Sequence, residues 1–375
     1  MSAPADLALA VVVHWISLVA LAGLVGGLAV RVIVLPPDAP ALERRLPRWT
    51  RAWNLLLLVV AVAELLLRAR TMAGGELTAI LSSAPVIVTR THFGAVWSIR
   101  VVALVLLLGL GGRSGRMQTR VAYALSLVVA LTTTLAGHAA DRGDVSADAL
   151  IDWVHVAAAT TWTGGLFCLA VIVLREARAW PREHLARLLR RFSALAAWCL
   201  AAVVASGIYN AVVRLGSLAA LWTTTYGATL VVKVMLVLAV ASLGAVNRFV
   251  VLPELGAGPP ARSARPPRAG SPTSPALDRL GAYVAREAAL AVIVLGCTAL
   301  LGESAPPHHR HEASTGSQAT VRRFASATNC AQESAHALHT ACLSACLRHS
   351  FSQSSQMSRQ PVANSPSRVA FRLAS

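Results

Sequence analysis

Apolar runs of about 20 residues recur from Leu7 to Leu301, each long enough to cross a hydrocarbon core as a helix. They leave the chain few choices. Inside a bilayer every backbone polar group must be satisfied within a helix or a closed barrel. The short alternating strands of a barrel are absent here. The expected fold class is therefore all-α: a polytopic membrane helical bundle of about eight transmembrane helices. These read roughly as 7–35, 49–69, 92–111, 119–138, 150–174, 192–214, 226–252 and 280–301. Composition agrees. The chain is 55% hydrophobic and 14% charged, with a mean hydropathy of +0.60, against about 45–50% apolar and about 25% charged for a soluble domain.

The net charge of +17 does not signal nucleic-acid binding, because the basic residues are mostly loop arginines. The loops after the first, third, fifth and seventh spans carry Arg44, Arg45, Arg113, Arg178, Arg187 and Arg265, among others. The opposite loops hold only Arg70, Arg90 and Arg142. Cytoplasmic loops collect Lys and Arg, so the expectation is that both termini are periplasmic. No Lys or Arg precedes the first run, so it lacks the basic start of a cleavable signal and is expected to stay in the membrane.

Residues 1–302 read as one transmembrane domain, interrupted by a Pro-, Arg- and Ser-rich stretch at 253–275 that suits a disordered cytoplasmic loop. No internal repeat is evident. Residues 303–375 form a polar C-terminal tail, read as a disordered extension or a stretch unrelated to the membrane core.

The segment Ile151–Phe167 holds the densest set of unusual residues. At helical pitch Asp152, His155, Ala159 and Trp162 share one stripe, and Gly164 and Gly165 admit a close neighbour. A membrane histidine is costly unless it is coordinated or hydrogen-bonded. Three more, His14, His92 and His138, map with His155 to the outer half of the bundle. Imidazoles on facing helices make a plausible Cu, Zn, Fe or Ni site; alternatively each caps a helix or bonds a carbonyl. Asp141, Asp144, Asp148 and Asp152 would concentrate cations at this mouth, or form an ordinary hydrated loop. Asp152 is also a candidate to orient His155. Methionines are too few for a soft ladder, and the cysteines show no CxxC; Cys168, Cys199 and Cys297 sit singly in apolar runs.

Lys233 is the only lysine and lies within an apolar run. It needs a partner, a water path or neutralisation. Glu64 falls at a similar depth, with Arg100 as a competing partner for that carboxylate. Lys233 and Glu64 together read as an ion pair locking helices, or as an intramembrane gate or proton-linked element. Asn210 and Asn247 suit interhelical hydrogen bonds.

RFSALAAW at 191–198, SGIYNA at 206–211, TTYGATLVVK at 224–233 and NR at 247–248 resemble the copper-resistance D family of bacterial inner-membrane proteins, as do GHAA and WVHVAAATTWTGGL upstream. The resemblance runs from about residue 7 to 301. It implies copper ion transport across the inner membrane, by uptake from the periplasm, in copper resistance and homeostasis. It also implies a separate periplasmic copper-binding C-type protein as partner, since the chain opens directly on its first span. Arg191, Gly207, Asn210, Tyr226, Gly227, Lys233 and Asn247 match the family's motif positions.

The leading expectation is a non-enzymatic copper carrier using His14, His138, His155 and His92; no Walker motif is present. Paired histidines holding b-type haem, and a membrane scaffold or sensor, are the alternatives. His336, His339, Cys342, Cys346 and His349 in the tail would share one face of a helix, and His308, His309 and His311 cluster just past the last span; these form a second metal candidate.

Overall fold

The computed structural model describes residues 3–36, 40–73, 76–110, 115–137, 146–176, 180–253 and 275–304. The 253–275 loop from residue 254 to 274, the tail from residue 305 onward, and His138 lie outside the described residues. So do the histidine and cysteine clusters of the tail.

Everything described is helical or a short connection. α1 is Ala3–Ala29, α2 Pro40–Ala73, α3 Leu77–Arg90, α4 His92–Leu110 and α5 Arg116–Leu135. α6 is Ala147–Cys168, α7 the single turn Leu174–Glu176, α8 Arg182–Leu215, α9 Ala220–Thr223, α10 Thr225–Val246 and α11 Pro275–Glu303. Wider π-helical turns extend α1, α6 and α10, at Val30–Val34, Leu169–Val173 and Asn247–Val251.

Among the described residues seven helical segments are long and apolar enough to cross a membrane. The eighth expected span is α5, whose 20 residues include Thr119, Ser126, Thr132, Thr133 and Thr134. These lower its hydropathy, but they face protein. Ser126, Thr132 and Thr134 are buried, and α5 packs on α1, α4 and α6. The connection after α2, expected to be a loop, instead contains α3. Its 14 residues are too short to span; Ile80 and Ile87 tuck it against Ala69 and Phe93.

The central helix is α1, which packs chiefly on α6 and α2 and also touches α5 and α11. Its approach to α6 is possible only because both surfaces carry glycine. A Cβ on Gly26 would fall 2.1 Å from the Gly164 carbonyl carbon, and one on Gly164 would fall 1.6 Å from Ala22 O. Indoles stitch neighbouring helices further: Trp15 Nε1 donates to Val292 O at 3.0 Å, Trp97 Nε1 to Ala61 O at 2.8 Å and Trp153 Nε1 to Leu127 O at 3.0 Å. A buried indole N–H finds such an acceptor because leaving it unpaired is costly.

The outer helices are only partly covered. Ile208, Val212, Met235 and Phe249 on α8, α10 and the turn after α10 are 62–72% exposed. Apolar surface of this kind suits lipid contact, since hydrocarbon imposes no penalty on it.

Candidate functional site

The two ends of the described bundle come together on one face. Asp6 near the start of α1 pairs with Arg70 near the end of α2, at 3.4 Å. His14 Nδ1 lies 3.0 Å from Oε1 of Glu303, the last residue of α11. The same face receives the start of α4 and α6 and the end of α5 and α8. This end of the bundle concentrates polar side chains between otherwise apolar helices.

Its main feature is an antiparallel pair of polar stripes. On α6, Asp148, Asp152 and His155 follow at i, i+4 and i+7. On α8, Ser206, Asn210 and Arg214 follow at i, i+4 and i+8. Both spacings return to one helix face. They interlock: Asp152 Oδ1 accepts from Asn210 Nδ2 and from Arg214 Nη2, each at 3.0 Å. The Tyr209 hydroxyl donates to Asp148 Oδ1 at 2.5 Å. His155 Nδ1 lies 3.0 Å from Ser206 Oγ, and the absence of a side chain on Gly207 gives the ring its space, with a built Cβ 3.3 Å from His155 Cε1.

Ser206 sets the chemistry of His155. Its hydroxyl donates to Ala202 O at 2.5 Å, so toward the imidazole it is an acceptor. An Nδ1–H tautomer of His155 donates to that oxygen and leaves the lone pair on Nε2, the tautomer on which the proposed function rests. This is the arrangement of a metal-ligating histidine, in which the remote ring N–H is held by a polar partner.

Lys233 on α10 joins this cluster and lies within electrostatic range of Asp152, Arg214 and His155. Tyr226, buried at the start of α10, hydrogen-bonds Arg214. One carboxylate therefore serves two nearby cations, a dense arrangement for a membrane interior.

The structure corrects two pairings. The expected meeting of Lys233 with Glu64 does not occur: Glu64 Oε2 accepts from Arg100 Nη1 at 2.6 Å. Arg100 is further held by Thr132, through its hydroxyl at 3.0 Å and its carbonyl at 3.2 Å. Nor is Asp152 the partner of His155 Nδ1, which meets Ser206, while Asp152 Oδ1 accepts from Asn210 and Arg214. Sequence reading missed Arg214, Tyr209 and Ser206. The i, i+4, i+8 stripe in SGIYNAVVRL was the available signal.

His14, His92 and His155 share an end of the bundle but not one cluster. α1 and α6 run parallel: Ala22 and Gly26 meet Gly164, and the core beyond them joins Val30 and Val34 to Leu169 and Val173. His14 stands eight residues before Ala22 and His155 nine before Gly164, so both lie about 12–14 Å back along their helices, at one level. His92, exposed at the start of α4, places Nε2 3.3 Å from Leu135 O. Among the described residues no three His, Cys, Asp or Glu side chains come together as a metal-holding group.

Fold and site together define a multi-pass helical membrane protein with a polar cluster at one end of its bundle. The chain belongs to the copper resistance protein D family. The profile "Copper resistance protein D" matches residues 186–301, and "Copper resistance protein D-like, N-terminal domain" matches residues 3–148. The chain is 31% identical to Copper resistance protein D of Pseudomonas syringae pv. tomato over 273 residues, 68% of this chain and 82% of that one. It is 27% identical to Inner membrane protein YebZ of Escherichia coli over 217 residues, 56% of this chain and 72% of the relative. It is 30% identical over 166 residues, 42% of this chain, to Copper transport protein CutJ of Bacillus subtilis, of whose length it spans 30%. No solved structure matches.

Proposed function

We propose that this protein carries copper ions across the bacterial inner membrane by uptake from the periplasm, and that His155 is the first intramembrane ligand. The observation that carries this reading is the Ser206–His155 pair. It leaves an imidazole lone pair available on a half-buried ring, at the end of the bundle where His14 stands at the same level. The names of two relatives, a copper resistance protein and a copper transport protein, supply the ion. Imidazole nitrogen suits copper. The positive-inside pattern of the loop arginines turns this end to the periplasm.

In this account the acids at the start of α6 raise the local cation concentration. Copper then exchanges onto His155 Nε2, with His14, His92 and His138 as further stations around the mouth. Lys233, at about the level of His155, forms a gate with Asp152 and Arg214, which lie about one turn nearer the mouth. A cation approaching His155 is repelled by Lys233 and Arg214, so access to the ring requires their charge to be drawn toward Asp152 or displaced. Glu64, bound to Arg100, locks α2 to α4 and holds the wall. A periplasmic copper-binding C-type protein is the proposed donor.

Copper accumulation in cells expressing His155→Ala tests this. Accumulation should fall to that of cells lacking the protein, at equal membrane abundance; unchanged accumulation removes the histidine from the route. The haem alternative makes a different demand, a Soret band from the purified protein.

A further inference from the structure

At the end of the bundle away from His155, α6, α8, α10 and α11 line an open cavity of about 370 Å³. Its walls are apolar, with Trp162, Leu166, Phe192 and Val284 among them. One carboxyl reaches it, that of Glu287 on α11, which is 4% exposed. We propose that Glu287, together with Asn247, is an intramembrane proton-binding site opening on this cavity.

The Glu287 carboxyl has an amide partner and, among the described residues, no counter-charge. Asn247 Nδ2 donates to Glu287 Oε1. Glu287 makes no ion pair among the described residues. The one charged group in the cavity wall from the neighbouring helix is Arg248, and its guanidinium is turned to Ser193 on α8, 3.1 Å from the carbonyl and 3.3 Å from the hydroxyl. α6 and α8 contribute no charged residue to this cavity. On α11 itself, Arg286 is exposed and stacks over Tyr283 at 5.9 Å. An ionised carboxylate in such a setting is expensive, and the smallest ion that neutralises it is a proton.

The second observation concerns Asn247. Its Oδ1 is buried and has no hydrogen-bond partner. A buried amide oxygen left unpaired is itself unfavourable. Protonation of Glu287 supplies the missing donor: the acid O–H can donate to Oδ1 while Nδ2 continues to donate to Oε1. The amide thus complements both states of the carboxyl, and its oxygen gains a partner in the protonated one. A metal ion fits poorly, because no further His, Cys, Asp or Glu among the described residues completes a ligand group there. Beside the carboxyl, Asn247, Arg248 and Ser193 offer polar partners to water, which occupies about 30 Å³ per molecule in the liquid. The proposed step is proton transfer between Glu287 and water held there, with no other reactant.

pH-difference infrared spectroscopy of the full-length protein in lipid tests this directly. The wild type should show the carbonyl stretch of a protonated carboxylic acid that disappears as pH rises. Glu287→Gln should lack that band, and Glu287→Asp should restore a shifted one. Asn247→Leu should keep the band but move its titration midpoint. A band unchanged in Glu287→Gln, or no titrating band in the wild type, overturns the proposal. So does loss of the band on adding copper at fixed pH, which would make this a metal site. The result does not depend on what the outer cluster carries.

Discussion

His155 and Ser206 form a relay: Nδ1 of the ring lies 3.0 Å from a hydroxyl that is itself within 2.5 Å of Ala202 O. The relay exists only because α8 runs antiparallel to α6 and Gly207 leaves room for the ring. It converts a half-buried histidine, which could have been a mere interhelical tie, into a ring with one nitrogen anchored and the other available.

Ser206→Ala removes the anchor without touching the lone pair. Loss of an outer hydrogen-bond partner of a ligating histidine typically lowers metal affinity roughly 10- to 100-fold. Copper titration of the purified variant should show that range of weakening with the helical content intact, and Ser206→Thr, which keeps the hydroxyl, should recover much of it.

The Asp152–Arg214 pair should be worth more than a surface bridge. The two side chains are 15% and 26% exposed, and breaking a largely buried pair leaves one charge uncompensated, at a cost of about 3 kcal/mol. Arg214→Gln alone should lower the thermal midpoint in detergent. Asp152→Asn combined with Arg214→Gln should be less damaging than the sum of the singles.

Glu64 gives a sharper test of connectivity. A double-mutant cycle of Glu64→Gln with Arg100→Gln should show coupling, since the side chains meet at 2.6 Å. The same cycle with Lys233→Met should be additive, because Lys233 belongs to the Asp152 cluster. Significant coupling between Glu64 and Lys233 would contradict the arrangement described above.

These pairings show what could and could not be read from the chain. The run of apolar segments fixed the fold class because bilayer thickness admits few alternatives. The His155 stripe and the glycines at 164 and 165 were legible because helical periodicity is local. Glu64 meets Arg100 and not Lys233: position along a helix is encoded in sequence, whereas azimuth and neighbour order are set by packing. Arg100 takes Glu64, and Lys233 lies instead within electrostatic range of Asp152. Glu287 went unnoticed because it follows Arg286 near the start of an apolar run, where an acid looks like a hydrated helix end.

The α1–α6 contact makes its own prediction. Gly26→Val places a side chain where the Gly164 backbone already lies, and overpacking of this kind costs roughly 3 kcal/mol. The variant should give a low yield of monodisperse protein on size-exclusion chromatography, while Gly109→Ala, where a built Cβ meets nothing within 4 Å, should behave as wild type.

The copper content of purified protein, wild type beside His155→Ala, tests the central claim most directly. Metal analysis after copper loading and desalting should find copper on the wild type and most of it lost from the variant, at equal fold and purity. Equal copper on both proteins would contradict the assignment of His155 as the first ligand on the route.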